Sequence, residues 1–142
     1  MNYRIENDKI FISLDPGEKI NECLEKIAVQ ESIKSAWLSG IGAITDVEIG
    51  FYDPEQKEYD RQRFDGEYEL TSLLGNLTMK EGSQFAHTHI TFSNTDYNVF
   101  GGHLFDAKIT AAGEFLMVKN ENPLHRKFNK DIGLALWCLD GE

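Results

Sequence analysis

The segment FAHTHITFSNTDYNVFGGHL, residues 85–104, decides the fold, because it predicts two β-strands joined by a short, turn-rich connection. His87 and His89 are two residues apart, so a strand places them on one face roughly 6.6 Å apart. If the turn centres near Asp96, His89 lies opposite His103, and directly opposed residues of an antiparallel pair project to the same face. The segment therefore predicts a cluster of three imidazoles, whereas a register shift of one residue would send His103 to the other face.

Three imidazoles around one point suit zinc or another divalent ion and leave a coordination position for water or a small ligand. Gly101 and Gly102 have no side chains, so a ligand or another backbone segment can approach closely there. The hydroxyls of Thr88 and Thr91 and the carboxylate of Asp106 are candidates to support the ligands through hydrogen bonds. The competing interpretation is that the histidines are structural or simply exposed on the strand surface.

One helix is predicted near the N-terminus. The sequence DPGE at residues 15–18 is typical of a helix start, with Asp15 capping free amides and Pro16 in the first turn. Apolar residues then recur at helical spacing, which predicts an amphipathic helix over about residues 20–31.

The rest of the chain has the pattern of β-strands. Residues 3–14 are predicted to form two short strands around a turn at residues 6–8, the second of them at 9–14. Further strands are predicted at residues 36–44, 47–52, 58–64, 68–77, 85–92, 99–109, 114–118 and 133–139. The last of these is apolar on both faces, which predicts burial on both sides by a helix or a partner subunit. No linker or repeat divides the chain. The predicted fold class is α+β, a largely antiparallel sheet with one main flanking helix in a single domain of residues 1–142.

Charge and composition restrict the function. Fourteen Lys and Arg against twenty-four Asp and Glu give a formal net charge of -10, which disfavours direct contact with nucleic acid. The densest basic cluster, residues 125–130 with Arg126 and Lys127, is predicted to be a solvated surface turn. No apolar run is long enough to span a membrane and no signal peptide is recognisable, so we expect a cytoplasmic protein. Cys23 and Cys138 form no metal or redox motif.

Five segments together resemble the PPC (plants and prokaryotes conserved) domain. They are LDPGE at 14–18, LSGIGA at 38–43, GEYELTSLLGN at 66–76, FAHTH at 85–89 and GGHL at 101–104. They occur in the family's order, and the resemblance covers about residues 3–120.

The resemblance implies an antiparallel sheet with a flanking helix, assembled as a homotrimer with pockets between subunits. It also implies that the histidines of the H-x-H strand and the G-G-H segment hold a metal ion, which here are His87, His89 and His103. Zinc is the metal that such a ligand set suits best.

Two features of the plant relatives bear on partners. Plant members carry a basic AT-hook ahead of the domain, and this sequence contains none. The family's short partner-contact motif, Gly-Arg-Phe-Glu-Ile-Leu, corresponds here to Gly66, Glu67, Tyr68, Glu69, Leu70 and Thr71. Glu67 replaces the arginine of that motif and reverses its charge.

Two functions remain open at this stage. Prokaryotic members are often labelled predicted DNA-binding proteins, which implies a regulatory module; the charge favours action through protein partners. The alternative is a metal-dependent enzyme or small-ligand sensor that uses the open coordination position. Carboxylates that could then serve as general acid or base are Glu48, Glu69, Asp106 and Glu114.

Overall fold

The structure, a computed structural model, describes residues 1–140, which form nine strands and one helix. In chain order these are β1 (Asn2–Glu6), β2 (Lys9–Leu14), α1 (Ile20–Gln30), β3 (Ala36–Asp53), β4 (Glu58–Phe64), β5 (Tyr68–Lys80), β6 (Ser83–Ser93), β7 (Val99–Lys119), β8 (His125–Asn129) and β9 (Leu134–Cys138). The predicted pairs of strands at 36–44 with 47–52 and at 99–109 with 114–118 are each one long strand.

Four strands close a ring within the sheet. β5 pairs with both β3 and β6, while β7 pairs with both β6 and β3. All strand pairs are antiparallel except the single contact between Met79 of β5 and His125 of β8. The predicted α+β class with a largely antiparallel sheet and one helix is confirmed.

The core lies between α1 and the face of the sheet that it covers. β2 alternates strictly, with Ile10, Ile12 and Leu14 buried and the residues between them exposed. α1 buries Leu24 and Ile27 against this face. Each such side chain contributes about 1.5–3 kcal/mol to folding, so α1 is held to the sheet mainly by its apolar stripe.

The start of α1 differs from the prediction. Asp15 does not cap the helix; its carboxylate lies 2.5 Å from the N-terminal amine of Met1. The capping group comes instead from β7, where Oδ1 of Asp106 accepts a hydrogen bond from the backbone N–H of Asn21 at 3.1 Å. A turn at residues 15–18 precedes the helix, so Asp15 lies too early in the chain to reach the free amides.

The C-terminal hairpin also differs from the prediction. β9 is only half-buried along most of its length, and Trp137 is 45% exposed, so the expected burial on both faces is wrong within this chain. The basic segment around Arg126 is a strand, β8, rather than a turn, because it pairs with β9 from His125 to Asn129.

No helix among the described residues is long and apolar enough to cross a membrane.

Candidate metal centre

The β6–β7 hairpin has the predicted register. His89 is the partner of His103, and the turn lies at residues 94–98. The side-chain Oδ1 of Asn94 accepts hydrogen bonds from the backbone N–H groups of Asp96 and Asn98, which fixes the turn. The turn therefore sets which face of β7 carries His103.

The three imidazoles form a nearly equilateral triangle. Ring centroids are 5.2 Å apart for His87 and His89, 5.0 Å for His87 and His103, and 5.4 Å for His89 and His103. One nitrogen from each ring lies within 4.8 Å of the others. Tetrahedral zinc, with Zn–N of about 2.0–2.1 Å, would place them about 3.4 Å apart, so closure requires ring movements on the order of 1 Å.

Burial favours the neutral form of the three imidazoles. Desolvation, with smaller contributions from Arg126 and His89, lowers the pKa of His87 to about 4. Desolvation, followed by the neighbouring histidines, lowers the pKa of His103 to about 4 as well. His89 is more exposed, and desolvation lowers its pKa too. Neutral imidazoles have free lone pairs, which is the state that binds a metal.

His103 contains an unsatisfied atom. Its Nδ1 is buried and is the one such side-chain nitrogen or oxygen within residues 1–140 that has no hydrogen-bond partner. The ring is fixed by Tyr59, which stacks on it at 4.7 Å, and by the edge of Phe105 at 5.0 Å. A buried polar atom without a partner is costly, and a ligating role would remove that cost. The donor set and this orphaned atom together fit a divalent ion.

Arg126 of β8 contacts the cluster directly. Its Nη2 lies 3.2 Å from Nδ1 of His87, and the same nitrogen donates to Oδ1 of Asn76 at 2.8 Å. The guanidinium also donates from Nε to Oγ1 of Thr78 and from Nη1 to the carbonyl of Ala135, both at 2.8 Å. Arg126 thus links β8, β9 and β5 to the histidine cluster.

The expected supporting residues lie elsewhere. Thr88 points to the opposite face, where its hydroxyl donates to Oδ1 of Asn21 at 2.8 Å. Thr91 contacts Thr71 through their hydroxyls, and Asp106 caps α1. The direct support that the structure shows for the histidines comes from Arg126 and the aromatic rings.

Gly101 and Gly102 allow neighbouring strands to approach closely, so the expected approach of another backbone segment is confirmed. A Cβ on Gly101 would lie 2.8 Å from the carbonyl oxygen of Ile90 in β6, and one on Gly102 would lie 3.0 Å from that of Gly50 in β3. Both neighbours are backbone atoms. A ligand contact at these glycines stays a prediction.

A cavity of about 440 Å³ opens beside the histidines. The β6–β7 ladder ends at the pair His89–His103; beyond it β6 continues along β5 and β7 along β3. The cavity lies where the strands diverge and is lined by His87, His103 and residues of α1, β4, β8 and β9. Its size is typical of small-molecule sites.

The predicted acid–base residues do not line this cavity, with one exception. Glu48 forms ion pairs with Arg61 and Arg63, and Glu69 and Glu114 lie on other surfaces. Asp106 lines the cavity but is occupied as the cap of α1.

Glu25, Tyr59 and Arg126 are cavity residues that the sequence interpretation missed. Burial raises the pKa of Glu25, whose Oε1 accepts a hydrogen bond from the N–H of Ala86. The available signal for Arg126 was its position just before the turn sequence NKDIG, which an apolar run follows, and this order indicates a hairpin.

The segment corresponding to the plant partner-contact motif begins in a loop and enters β5. Gly66, Glu67 and Glu69 are exposed, while Leu70 is buried. Tyr68 packs its ring against Phe92 at 5.1 Å. Thr71 is exposed and bonds to Thr91. A partner role for this segment stays a prediction.

The ring-forming antiparallel sheet, the single helix and the three-histidine cluster together define a small α+β domain with a candidate metal site. The family model of the Plants and Prokaryotes Conserved (PCC) domain matches residues 1–120, and the chain belongs to this family. Among curated proteins, none matches the chain significantly.

Solved structures of similar proteins cover almost the whole chain. A plant- and prokaryote-conserved (PPC) protein of Pyrococcus horikoshii is 33% identical, with a TM-score of 0.86 over 96% of this chain and 94% of its own. A protein of Archaeoglobus fulgidus described as metal-containing is 32% identical, with a TM-score of 0.86 over 97% of this chain and 99% of its own. A presumed DNA-binding protein of Bacteroides thetaiotaomicron is 29% identical, with a TM-score of 0.94 over 98% of this chain and 97% of its own.

Proposed function

We propose that the protein is a metal-binding regulatory domain that holds one divalent ion, most suitably zinc, through His87, His89 and His103. The observation that carries this proposal is the triangle of three imidazoles with ligand atoms within 4.8 Å of one another. The Archaeoglobus fulgidus relative, described as metal-containing, supports it. When bound, such an ion supplies Lewis acidity at a coordination position left open by the protein.

The first test is metal content per chain, measured by elemental analysis on untagged protein. The wild type should contain close to one metal ion per chain, and His89→Ala should lose it. His125→Ala is the matched control, because His125 lies on β8 outside the three-histidine cluster. Wild-type protein without metal, even after incubation with zinc, would contradict the proposal.

We further propose that the chain assembles as a homotrimer through the face of the sheet opposite α1. Phe11, Leu116, Ser39, Leu74 and His89 form one row across β2, β7, β3, β5 and β6. Phe11 is 42% exposed and Leu74 is 53% exposed. A groove of about 840 Å³ lies on this apolar face and is not lined by the three histidines. Exposed apolar patches of this kind are typical of interfaces between proteins.

Leu74→Glu tests the assembly by placing a charge in the middle of this row. Analytical ultracentrifugation should show a trimer for the wild type and smaller species for the variant. Val29→Glu is the control, since Val29 is exposed on α1 away from this face. A monomeric wild type, or a variant that assembles normally, would refute the proposed interface.

We propose that the domain exerts its regulatory role through protein partners. The DNA-binding description of the Bacteroides thetaiotaomicron protein supports a link to transcription. The net charge of -10 opposes direct phosphate contacts. A gel-shift assay at low salt should therefore show no retardation of duplex DNA; retardation that weakens steeply with added salt would favour direct binding instead.

A metal-dependent enzyme or small-ligand sensor is the second candidate. The specific observation in its favour is the cavity of about 440 Å³ that is shared by His87, His103 and Glu25. A carboxyl with a pKa raised by burial beside a candidate metal centre is suited to proton transfer. Metal-dependent turnover that is lost in Glu25→Gln, with metal content retained, would establish this function.

A further inference from the structure

The starting observation is the unbalanced positive charge of Arg126. Its guanidinium is half-buried, and all four of its hydrogen-bond partners are neutral groups. No carboxylate within residues 1–140 forms an ion pair with it. A half-buried cation without a counterion is unfavourable, because burial removes hydration that only an opposite charge replaces fully.

Metal binding would free one donor of this guanidinium. A guanidinium only donates hydrogen bonds, so Nδ1 of His87 is the acceptor and the ring proton lies on Nε2. Coordination through Nδ1 would replace the guanidinium. Coordination through Nε2 would move the proton to Nδ1, which could then no longer accept. In both cases an N–H of Arg126 loses its acceptor beside a newly added positive charge.

The cavity wall next to Arg126 continues this cationic character. Lys80 lies 4.7 Å and the Arg126 guanidinium 5.5 Å from the ring centre of Phe85, which lines the same cavity. The acidic groups of the cavity are Glu22 and Glu25 of α1 and Asp106 of β7. Glu25 accepts a hydrogen bond from the N–H of Ala86, and Asp106 accepts one from the N–H of Asn21. Among residues 1–140, none of these carboxylates forms an ion pair with Arg126 or Lys80.

Apart from Asn21 and Arg61, which pairs with Glu48, the remaining lining is apolar. Tyr59, Phe105, Leu134 and Leu136 contribute to the walls, and the volume of about 440 Å³ exceeds what a chloride or phosphate ion would fill. An anion with a hydrocarbon body fits both properties, because its charged end can meet Arg126 while its body contacts the rings.

We propose that this cavity binds a small organic carboxylate, with the carboxylate held by Arg126 beside the three-histidine metal centre and the hydrocarbon body against Phe85 and Tyr59. This rests on the proposed metal site, which would place a divalent positive charge next to the same guanidinium. It deepens that proposal by naming the ligand class and Arg126 as the residue that selects it.

The test uses full-length untagged protein, metal-free and loaded with Co²⁺, whose visible spectrum reports on its coordination. Each form is titrated with 3-methylbutanoate and with its neutral counterpart 3-methylbutanamide, by calorimetry and by the cobalt spectrum. We expect the cobalt form to bind the carboxylate at least about tenfold more tightly than the amide, from the strength of charge-assisted hydrogen bonds. Arg126→Gln should weaken carboxylate binding by about tenfold to a hundredfold and leave the amide unchanged.

Arg63→Gln is the matched control, because Arg63 is 70% exposed, pairs with Glu48 and lies outside the cavity. It should bind the carboxylate like the wild type. Should Arg126→Gln fail to fold or lose cobalt, Lys80→Gln carries the comparison, since Lys80 contacts the same Phe85 ring. It should weaken the carboxylate severalfold without affecting cobalt content.

Three results would overturn the inference while leaving the metal proposal intact. They are equal affinity for carboxylate and amide, unchanged carboxylate affinity in the cavity variants, or equally tight binding of chloride. If the wild type takes up no cobalt, the proposed metal function fails separately. The titration of the metal-free wild type then tests the carboxylate site by itself. Carboxylate binding that is lost in Arg126→Gln supports the inference, and the absence of carboxylate binding refutes it.

Discussion

His89→Ala separates the metal contribution from the stability of the metal-free fold. His89 is the exposed member of the cluster, whereas His87 and His103 are half-buried and packed against Arg126 and Tyr59. Removing an exposed side chain changes the free energy of unfolding by no more than about 0.5 kcal/mol. The metal-free variant should therefore unfold like the metal-free wild type.

The metal-bound state should behave differently. At a free metal concentration of one hundred times the dissociation constant, binding stabilises the wild type by about 2.7 kcal/mol. For a chain of this size that corresponds to an increase in Tm of roughly 5–10 °C. If the loss of one of three ligands raises the dissociation constant a hundredfold, the same metal concentration stabilises the variant by only about 0.4 kcal/mol.

The assay is thermal unfolding followed by circular dichroism, with EDTA and with a zinc series, on wild type, His89→Ala and His125→Ala. We expect a zinc-dependent increase in Tm for the wild type and for His125→Ala, and almost none for His89→Ala. An equal increase in all three proteins would refute the three-histidine site. A large loss of stability of His89→Ala in EDTA would show that His89 is a structural residue of the fold.

Three further predictions concern pH, the Asn21 side chain and Gly75. The metal-free wild type should become less stable as pH falls from 6.5 to about 4, because the folded state holds His87 and His103 neutral while the unfolded state takes up protons there. Denaturant unfolding at several pH values measures how steeply the free energy of unfolding depends on pH. His103→Gln should make this dependence less steep, and an unchanged dependence would contradict the role given to His103. Asn21→Leu should lower the free energy of unfolding by about 2–3 kcal/mol, since it leaves the Thr88 hydroxyl and the carbonyls of Leu104 and Phe105 without their partner. Urea unfolding measures this loss. The double variant with Thr88→Val should lose less unfolding free energy than the sum of the two single variants. Gly75→Ala should lower the free energy of unfolding by about 1–3 kcal/mol and weaken metal binding, because a Cβ there would lie 2.3 Å from the carbonyl oxygen of His87. Unchanged zinc affinity in a destabilised variant would show that the substitution affects only the fold.

The histidine cluster was predictable from sequence because it depends on local geometry. The spacing of His87 and His89 fixes a shared face of one strand. The connection to His103 is short and turn-rich, and its centre at Asp96 sets the register that the structure shows. A hairpin with a short turn leaves few alternative registers, so these residues determine their own arrangement.

The cavity was not predictable in the same way, because its walls come from distant parts of the chain. Arg126 reaches His87 only because β8 lies beside β5, where Met79 and His125 are the single residue pair of the strand pairing. No local pattern specifies such a parallel contact. Asp106 caps α1 from 85 residues away in the sequence, whereas the local pattern at residues 15–18 predicts Asp15 as the cap.

The position of the cluster at the end of the β6–β7 ladder gives it two accessible sides. His89 lies on the apolar face that the proposed trimer would cover, whereas His87 and His103 line the cavity where the strands diverge. An assembly partner and a cavity ligand would therefore contact different members of the same three-histidine set. Because all three histidines would share one metal ion, a change in the contacts of His89 at the trimer face would alter the metal coordination at the cavity, and the reverse would also hold. That arrangement would suit the coupling of ligand binding to assembly, which fits the proposed regulatory role through protein partners.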